Sequence, residues 1–185
     1  AGETLVVSAP DQPGLFSRIT GAVALHGLDI RSARITCVEG TAVDELEVSS
    51  SFGTEIRWDR VEHDVRRAVT GRLAITARLA ERAQAYPRRA LAHTLPTDVR
   101  IIDGSDGHTA IVEVVGPDSP GLLYRLSRAF AELGLDITRA MASTVGNDVV
   151  DAFYVRDPGT FGLGDETSRN ELRLALRHAL ESDAA

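Results

Sequence analysis

Residues 5–48 laid over residues 112–155, a constant shift of about 107 positions, agree at about 18 of 44 places without a gap, well above the level of unrelated segments. A chain that carries one unit twice is constrained to two like domains, since two copies are too few for a solenoid. Pro10-Asp11-Gln12-Pro13-Gly14-Leu15 falls on Pro117-Asp118-Ser119-Pro120-Gly121-Leu122, Gly27-Leu28-Asp29-Ile30 on Gly134-Leu135-Asp136-Ile137, and Val43-Asp44 on Val150-Asp151. At 185 residues there is room for two small domains.

Each unit opens on a β-branched run, Thr4 to Ser8 or Ala110 to Val115, closed by Pro-Asp, which reads as a buried strand. The apolar spacing then becomes helical, with Leu15, Phe16, Ile19 and Val23 matched by Leu122, Leu123, Leu126 and Phe130. Gly27 and Gly134 are suited to left-handed C-caps. Hairpins follow around Gly40 and around Gly146-Asn147-Asp148. Trp58, Val61, Val65 and Val69, and then Leu172, Leu176 and Leu180, predict a second helix in each unit. The fold class is therefore α+β, two ferredoxin-like βαββαβ domains with both helices on one face of an antiparallel sheet. Leu73 to Tyr86 reads as a helical connector and Pro87 and Pro96 bound a linker. Asp98 to Asp103 reads as a strand, turned by Gly104 to Gly107, that supplies the edge of unit two from upstream. Unit one has no such strand of its own. The expected divisions are 1–72, 73–96 and 97–185.

The net charge of −7 and pI of about 5.2 repel phosphate backbones and anionic lipid. RNA recognition on this architecture needs exposed aromatics, for which Phe153 and Tyr154 are the candidates. Cys37, the one cysteine, excludes an internal disulfide and a multi-cysteine zinc site and reads as a small core residue. No apolar run or leader suggests a membrane protein, so a soluble, cytoplasmic chain is expected. His26, His63, His93, His108 and His178 are scattered and predict no metal site. Ser49 to Ser51 read as a polar loop, and Gly104-Ser105-Asp106-Gly107 as a turn lacking a phosphate-binding Lys. Arg66, Arg67, Arg72, Arg78, Arg82, Arg88 and Arg89 read as a solvated helix face or a contact for a catalytic neighbour. No nucleophile and base can be assembled, so no enzyme and no cofactor is expected.

The repeated turn can bind an anion. With Pro13 and Pro120 read at the first helical position, the N–H groups of Gly14, Leu15 and Phe16, or of Gly121, Leu122 and Leu123, point along a helix axis toward a carboxylate. An amino acid also needs an acceptor for its ammonium, and Asp29 and Asp136 are the favoured ones. The plainer alternative makes Asp11 and Asp118 helix caps and leaves Asp29 and Asp136 to turn chemistry.

Asp-x-Pro-Gly-Leu opening a helix, then Gly-Leu-Asp-Ile, then a hairpin ending in Val-Asp-x-Phe-Tyr-Val resembles the ACT domain family, and the match covers both units. The resemblance implies a regulatory module whose ligand, an amino acid, lies where the first turn of one domain meets the second strand of its partner. Carried over, the site residues are Asp11, Gln12, Pro13, Gly14, Leu15 and Phe16 with Leu28, Asp29 and Ile30, and Asp118, Ser119, Pro120, Gly121, Leu122 and Leu123 with Leu135, Asp136 and Ile137. The family often carries Asn where Asp29 and Asp136 stand. Asp118 to Leu123, Leu133 to Ile137 and Val149 to Asp157 are similar to ACT pairs at the regulatory end of nitrogen-controlling nucleotidyltransferases. That implies glutamine as the first ligand, a catalytic partner domain, and pairing within the chain or in a homodimer. The alternative is a pairing module without a ligand.

Overall fold

The computed structural model describes residues 2–51, 53–85, 95–106, 108–159 and 161–182. Unit one runs β1 (Glu3–Pro10), α1 (Leu15–Leu25), β2 (Leu28–Val38), β3 (Thr41–Ser50) and α2 (Trp58–Val69). The connector forms α3 (Ile75–Ala85). Unit two runs β4 (Asp98–Asp103), β5 (Thr109–Pro117), α4 (Leu122–Glu132), β6 (Asp136–Met141), β7 (Thr144–Val145), β8 (Asp148–Arg156) and α5 (Glu166–Glu181). The expected α+β arrangement is present. Pro87, Arg88, Arg89 and His93 of the expected linker, and Gly107 of the expected turn, lie outside the described residues.

Among the described residues the strands join in one antiparallel sheet, ordered β1-β3-β2-β6-β8-β5-β4, with β7 paired to β8. β4 pairs with β5 from Asp98↔Val115 to Asp103↔Ala110, so the upstream strand does close unit two. No described strand pairs with the outer side of β1. The two units meet where Ser32, Ala33 and Arg34 of β2 pair with Met141, Ala140 and Arg139 of β6. Ala33 and Ala140 occupy equivalent positions of the repeat, so a local two-fold relation passes between them.

The core lies between the sheet and its helices, because alternate strand residues and one stripe of each helix are apolar. Ile19 and Val23 of α1, Leu126 and Phe130 of α4, and Leu172 and Leu176 of α5 are buried against Leu46, Val48, Val112 and Phe153. Phe130 and Phe153 pack with ring centroids 5.0 Å apart. Phe153 is thus in the core and is unavailable to stack on a nucleotide, while Tyr154 sits under Arg139 at 5.6 Å. Gly27 and Gly134 end the first helices with φ of 66° and 73°, a conformation that costs glycine little.

Three expectations are corrected. Cys37 is exposed with Thr36 and Val38, because beyond Arg34 the β6 side of β2 has no described strand neighbour. Ser49 and Ser50 belong to β3, where they pair with Asp29 and Leu28, and only Ser51 is in the turn. Pro13 and Pro120 stand ahead of the first helical turn. The residue between each proline and the helix, Gly14 or Gly121, has φ of 75° or 72°, and this left-handed step separates the proline from the helix. Among the described residues no helix is long and apolar enough to cross a membrane.

Candidate functional site

The turn into α1 forms without a side-chain cap. Leu15 donates its amide to Gln12 O at 3.1 Å, and Arg18 donates its amide to Gly14 O at 3.1 Å. The Leu15 amide is therefore consumed by the turn, and Leu122 is spent in the same way on Ser119 O. The amides of Gly14, Phe16 and Ser17 have no acceptor among the described residues, as the free N–H groups at a helix start would. Arg18 holds this turn in place by donating to Pro13 O at 3.1 Å and to Val69 O at 3.4 Å. Its repeat partner Arg125 donates to Pro120 O and Ala179 O, both at 2.9 Å. Sequence reasoning assigned neither arginine a role, although identity at both copies was the signal.

A cavity of about 360 Å³ opens beside the first turn, within the range of small-molecule sites. Asp11 to Ser17 form one wall, and Leu135 to Thr138 of unit two form the opposite one. Of the predicted residues it brings together Asp11, Gln12, Pro13, Gly14, Leu15 and Phe16 with Leu135, Asp136 and Ile137. Asp136 is ion-paired with Arg156 at 3.0 Å, both half-exposed, and Arg156 also lines the cavity. Cys37 and Ala42, directly paired across the β2–β3 hairpin, line it too. The Asp11 side chain beside Cys37 raises the thiol pKa.

Asp44 also lines this cavity. It lies on β3 between Val7 of β1 and Ile35 of β2, on the helix-facing side with Ala42 and Leu46, and is 1% exposed. Neither carboxyl oxygen has a hydrogen-bond partner among the described residues. Burial, with Asp11 near, pushes Asp44 up to about 7. Its repeat partner Asp151 is also buried and pushed up to about 7 by burial, but there Ser143 donates its amide at 3.2 Å. The repeat alignment contained both aspartates, yet a strand aspartate gives no sign of which face it takes.

The equivalent region of the other half is arranged differently. The Leu79 side chain of α3, itself buried, packs so close to Gly121 that a Cβ there would lie 3.0 Å from its Cδ1. A Cβ on Gly14 would have only Ser17 Oγ at 3.5 Å and Ala131 Cβ at 3.8 Å near it. Tyr124 is hydrogen-bonded to Thr76 of α3 at 2.8 Å. Asp118 to Leu123, with Leu28, Asp29 and Ile30, are therefore not part of the cavity. Asp29 accepts from Ser51 at 2.8 Å, Ile30 is in the core, and Leu28 lines a separate cleft by His26 and Asp64. In that cleft His26 and Arg78 both bond Asp64 at 3.2 Å, and burial lowers the His26 pKa against the raising effect of Asp64.

The ACT domain family matches residues 4–56 and 110–166, one stretch in each unit. The chain belongs to the ACT domain family. Its two ACT domains are 37% identical over 175 residues to the bifunctional uridylyltransferase/uridylyl-removing enzyme of Streptomyces coelicolor, covering 90% of this chain and 21% of that protein. The corresponding enzyme of Gluconobacter oxydans is 38% identical over 186 residues, covering 96% of this chain and 19% of its own length. The ACT pair thus spans about a fifth of the length of the curated relatives it matches. Among solved structures, aspartate kinase from Synechocystis aligns over 96% of this chain and 27% of its own, at 15% identity and a TM-score of 0.45.

Proposed function

We propose that the ACT pair is the amino-acid-sensing module of a nitrogen-regulating uridylyl-transfer enzyme, with glutamine as its ligand and one binding site per chain. The observation that carries this reading is the cavity in which the first turn of unit one faces the start of β6 of unit two. One wall offers the unbonded amides of Gly14, Phe16 and Ser17 at the positive end of α1 to a carboxylate. The opposite wall comes from the other unit, so a bound molecule contacts both. A ligand that favours one arrangement of the units transmits its presence to an attached catalytic domain, for which about 1–3 kcal/mol of coupling suffices. The names of the matched relatives support the uridylyl-transfer context, and the packing of Leu79 on Gly121 supports a single site.

Isothermal titration calorimetry of the chain against glutamine and then the other amino acids tests the proposal. Saturable binding at one molecule per chain, weakened in Gly14→Ala, where a side chain strains the left-handed residue that presents the turn amides, is the expected result. No heat from any amino acid with a folded chain overturns it in favour of a ligand-free pairing module.

A further inference from the structure

We infer that Asp44 is the acceptor for the ligand's ammonium group, and that binding ionises Asp44 and expels its proton to solvent. This rests on the amino-acid-binding reading above and adds to it a residue and a proton.

The two copies of the strand aspartate differ in a way that packing alone does not require. Asp151 receives an amide from Ser143, in the unit where Leu79 packs on the turn glycine. Asp44 receives no hydrogen bond among the described residues, in the unit where a cavity adjoins the turn. A buried carboxyl without a partner is costly, and here it lines the wall of a cavity large enough for a small molecule. The titratable and charged groups facing that cavity are Asp11, Cys37, Asp136 and Arg156. Arg156 is engaged by Asp136, and Asp11 acts on Asp44 by like charge, which favours the neutral acid. The site therefore lacks a cation for Asp44 and has an anion acceptor in the amides of Gly14, Phe16 and Ser17. A zwitterion supplies what each end lacks. Near neutrality and below, the O–H bond of the Asp44 carboxyl breaks and the proton passes to buffer. The resulting carboxylate accepts an N–H of the ligand ammonium, and no covalent bond of the ligand changes.

Calorimetric titration of the whole chain with glutamine, in paired buffers of low and high ionisation enthalpy, counts the protons. The expected result is about one proton released per glutamine at pH 6 and about none at pH 8.5. Affinity should rise about tenfold per pH unit from pH 5 to 6.5 and level off above about 7.5. Asp44→Asn, folded by circular dichroism, should bind on the order of 100-fold more weakly at pH 8 and release no proton at pH 6. N-acetylglutamine, which lacks the ammonium, should not bind the parent chain. Glutamine binding without proton release at pH 6, or unchanged affinity in Asp44→Asn, overturns the assignment of Asp44 and leaves the sensor reading standing. Should the variant misfold, the proton count on the parent decides. Absence of heat from glutamine and every other amino acid overturns both.

Discussion

Thr20 Oγ1 and Ser127 Oγ lie 3.1 Å apart in the buried seam between α1 and α4, and the two residues are 107 positions apart, the interval that relates the two copies. A carbonyl of its own helix is also within reach of each hydroxyl, Ser17 O at 2.9 Å from Thr20 and Leu123 O at 2.6 Å from Ser127, so one hydroxyl donates to its own helix while the other donates across the seam. Ser127→Ala should cost about 1 kcal/mol. A double-mutant cycle with Thr20→Val, read by urea denaturation, should give a coupling of about 0.5–1.5 kcal/mol. Additive losses would show that the two helices are held by apolar packing alone.

Asp44 makes stability depend on pH. Its folded pKa is raised to about 7 by burial and by Asp11, so the folded state holds the proton more tightly than the unfolded chain does. The sign is then fixed: stability is highest below the ordinary carboxyl pKa of about 4 and falls as pH rises through about 7. Asp44→Asn removes the ionisation and should raise the urea midpoint at pH 8.5 relative to the parent, by up to about 4 kcal/mol if the whole shift is recovered. The difference should shrink as the pH falls from 7 and nearly vanish below about pH 3.5, where the carboxyl is protonated in both the folded and the unfolded chain.

Asp157 behaves in the opposite way. Burial alone would raise its pKa, yet the amides of Gly159, Phe161, Gly162 and Leu163 all donate to it and hold it well below the usual carboxylate range. Its contribution is present above the unfolded carboxyl pKa and is lost as the pH falls below about 4. Asp157→Ala leaves those amides without their acceptor and should cost about 2–4 kcal/mol at pH 7, with increased hydrogen exchange in the segment leading to α5.

Leu79 is the contact that makes the two halves unlike. Leu79→Ala should lower stability by about 2–4 kcal/mol through the space it leaves beside Gly121. Thermal denaturation followed by circular dichroism measures the loss. A change under about 0.5 kcal/mol would show that α3 does not pack firmly on unit two.

Cys37 reports on the cavity directly, being exposed and part of its lining. Asp11 beside it raises the thiol pKa, so alkylation by iodoacetamide should be slow at pH 7.5 and accelerate at higher pH. Saturating glutamine should protect it, as mass spectrometry of the modified chain would record.

The strands and helices of the repeated unit were readable because the repeat showed them twice, and because Ile19, Val23, Leu126 and Phe130 carry helical spacing into a shared core. The fourth strand of unit two was legible in Val99 to Ile102, whose β-branched run needs a neighbour. Cys37 was misread because residue type says nothing of where a neighbouring strand stops, here at Arg34 on the β6 side of β2. The start of α1 was misread because Pro-Gly fits either side of a helix boundary, and only the positive φ of Gly14 decides it. The turn residues of the cavity could be named in advance. Asp44 could not, since its solitude depends on what the neighbouring strands and α1 fail to offer, and Leu79 could not, since its contact lies across the chain from its own position.

The asymmetry set by α3 has a consequence for dose response. Cooperativity needs at least two vacancies that communicate, and the Hill coefficient is bounded by their number. A duplicated protein with one vacancy gives a hyperbolic saturation curve that spreads its answer over about two decades of concentration. On the proposed single site a lone chain would answer as a dial, and a sharper threshold would need a second chain or an attached domain.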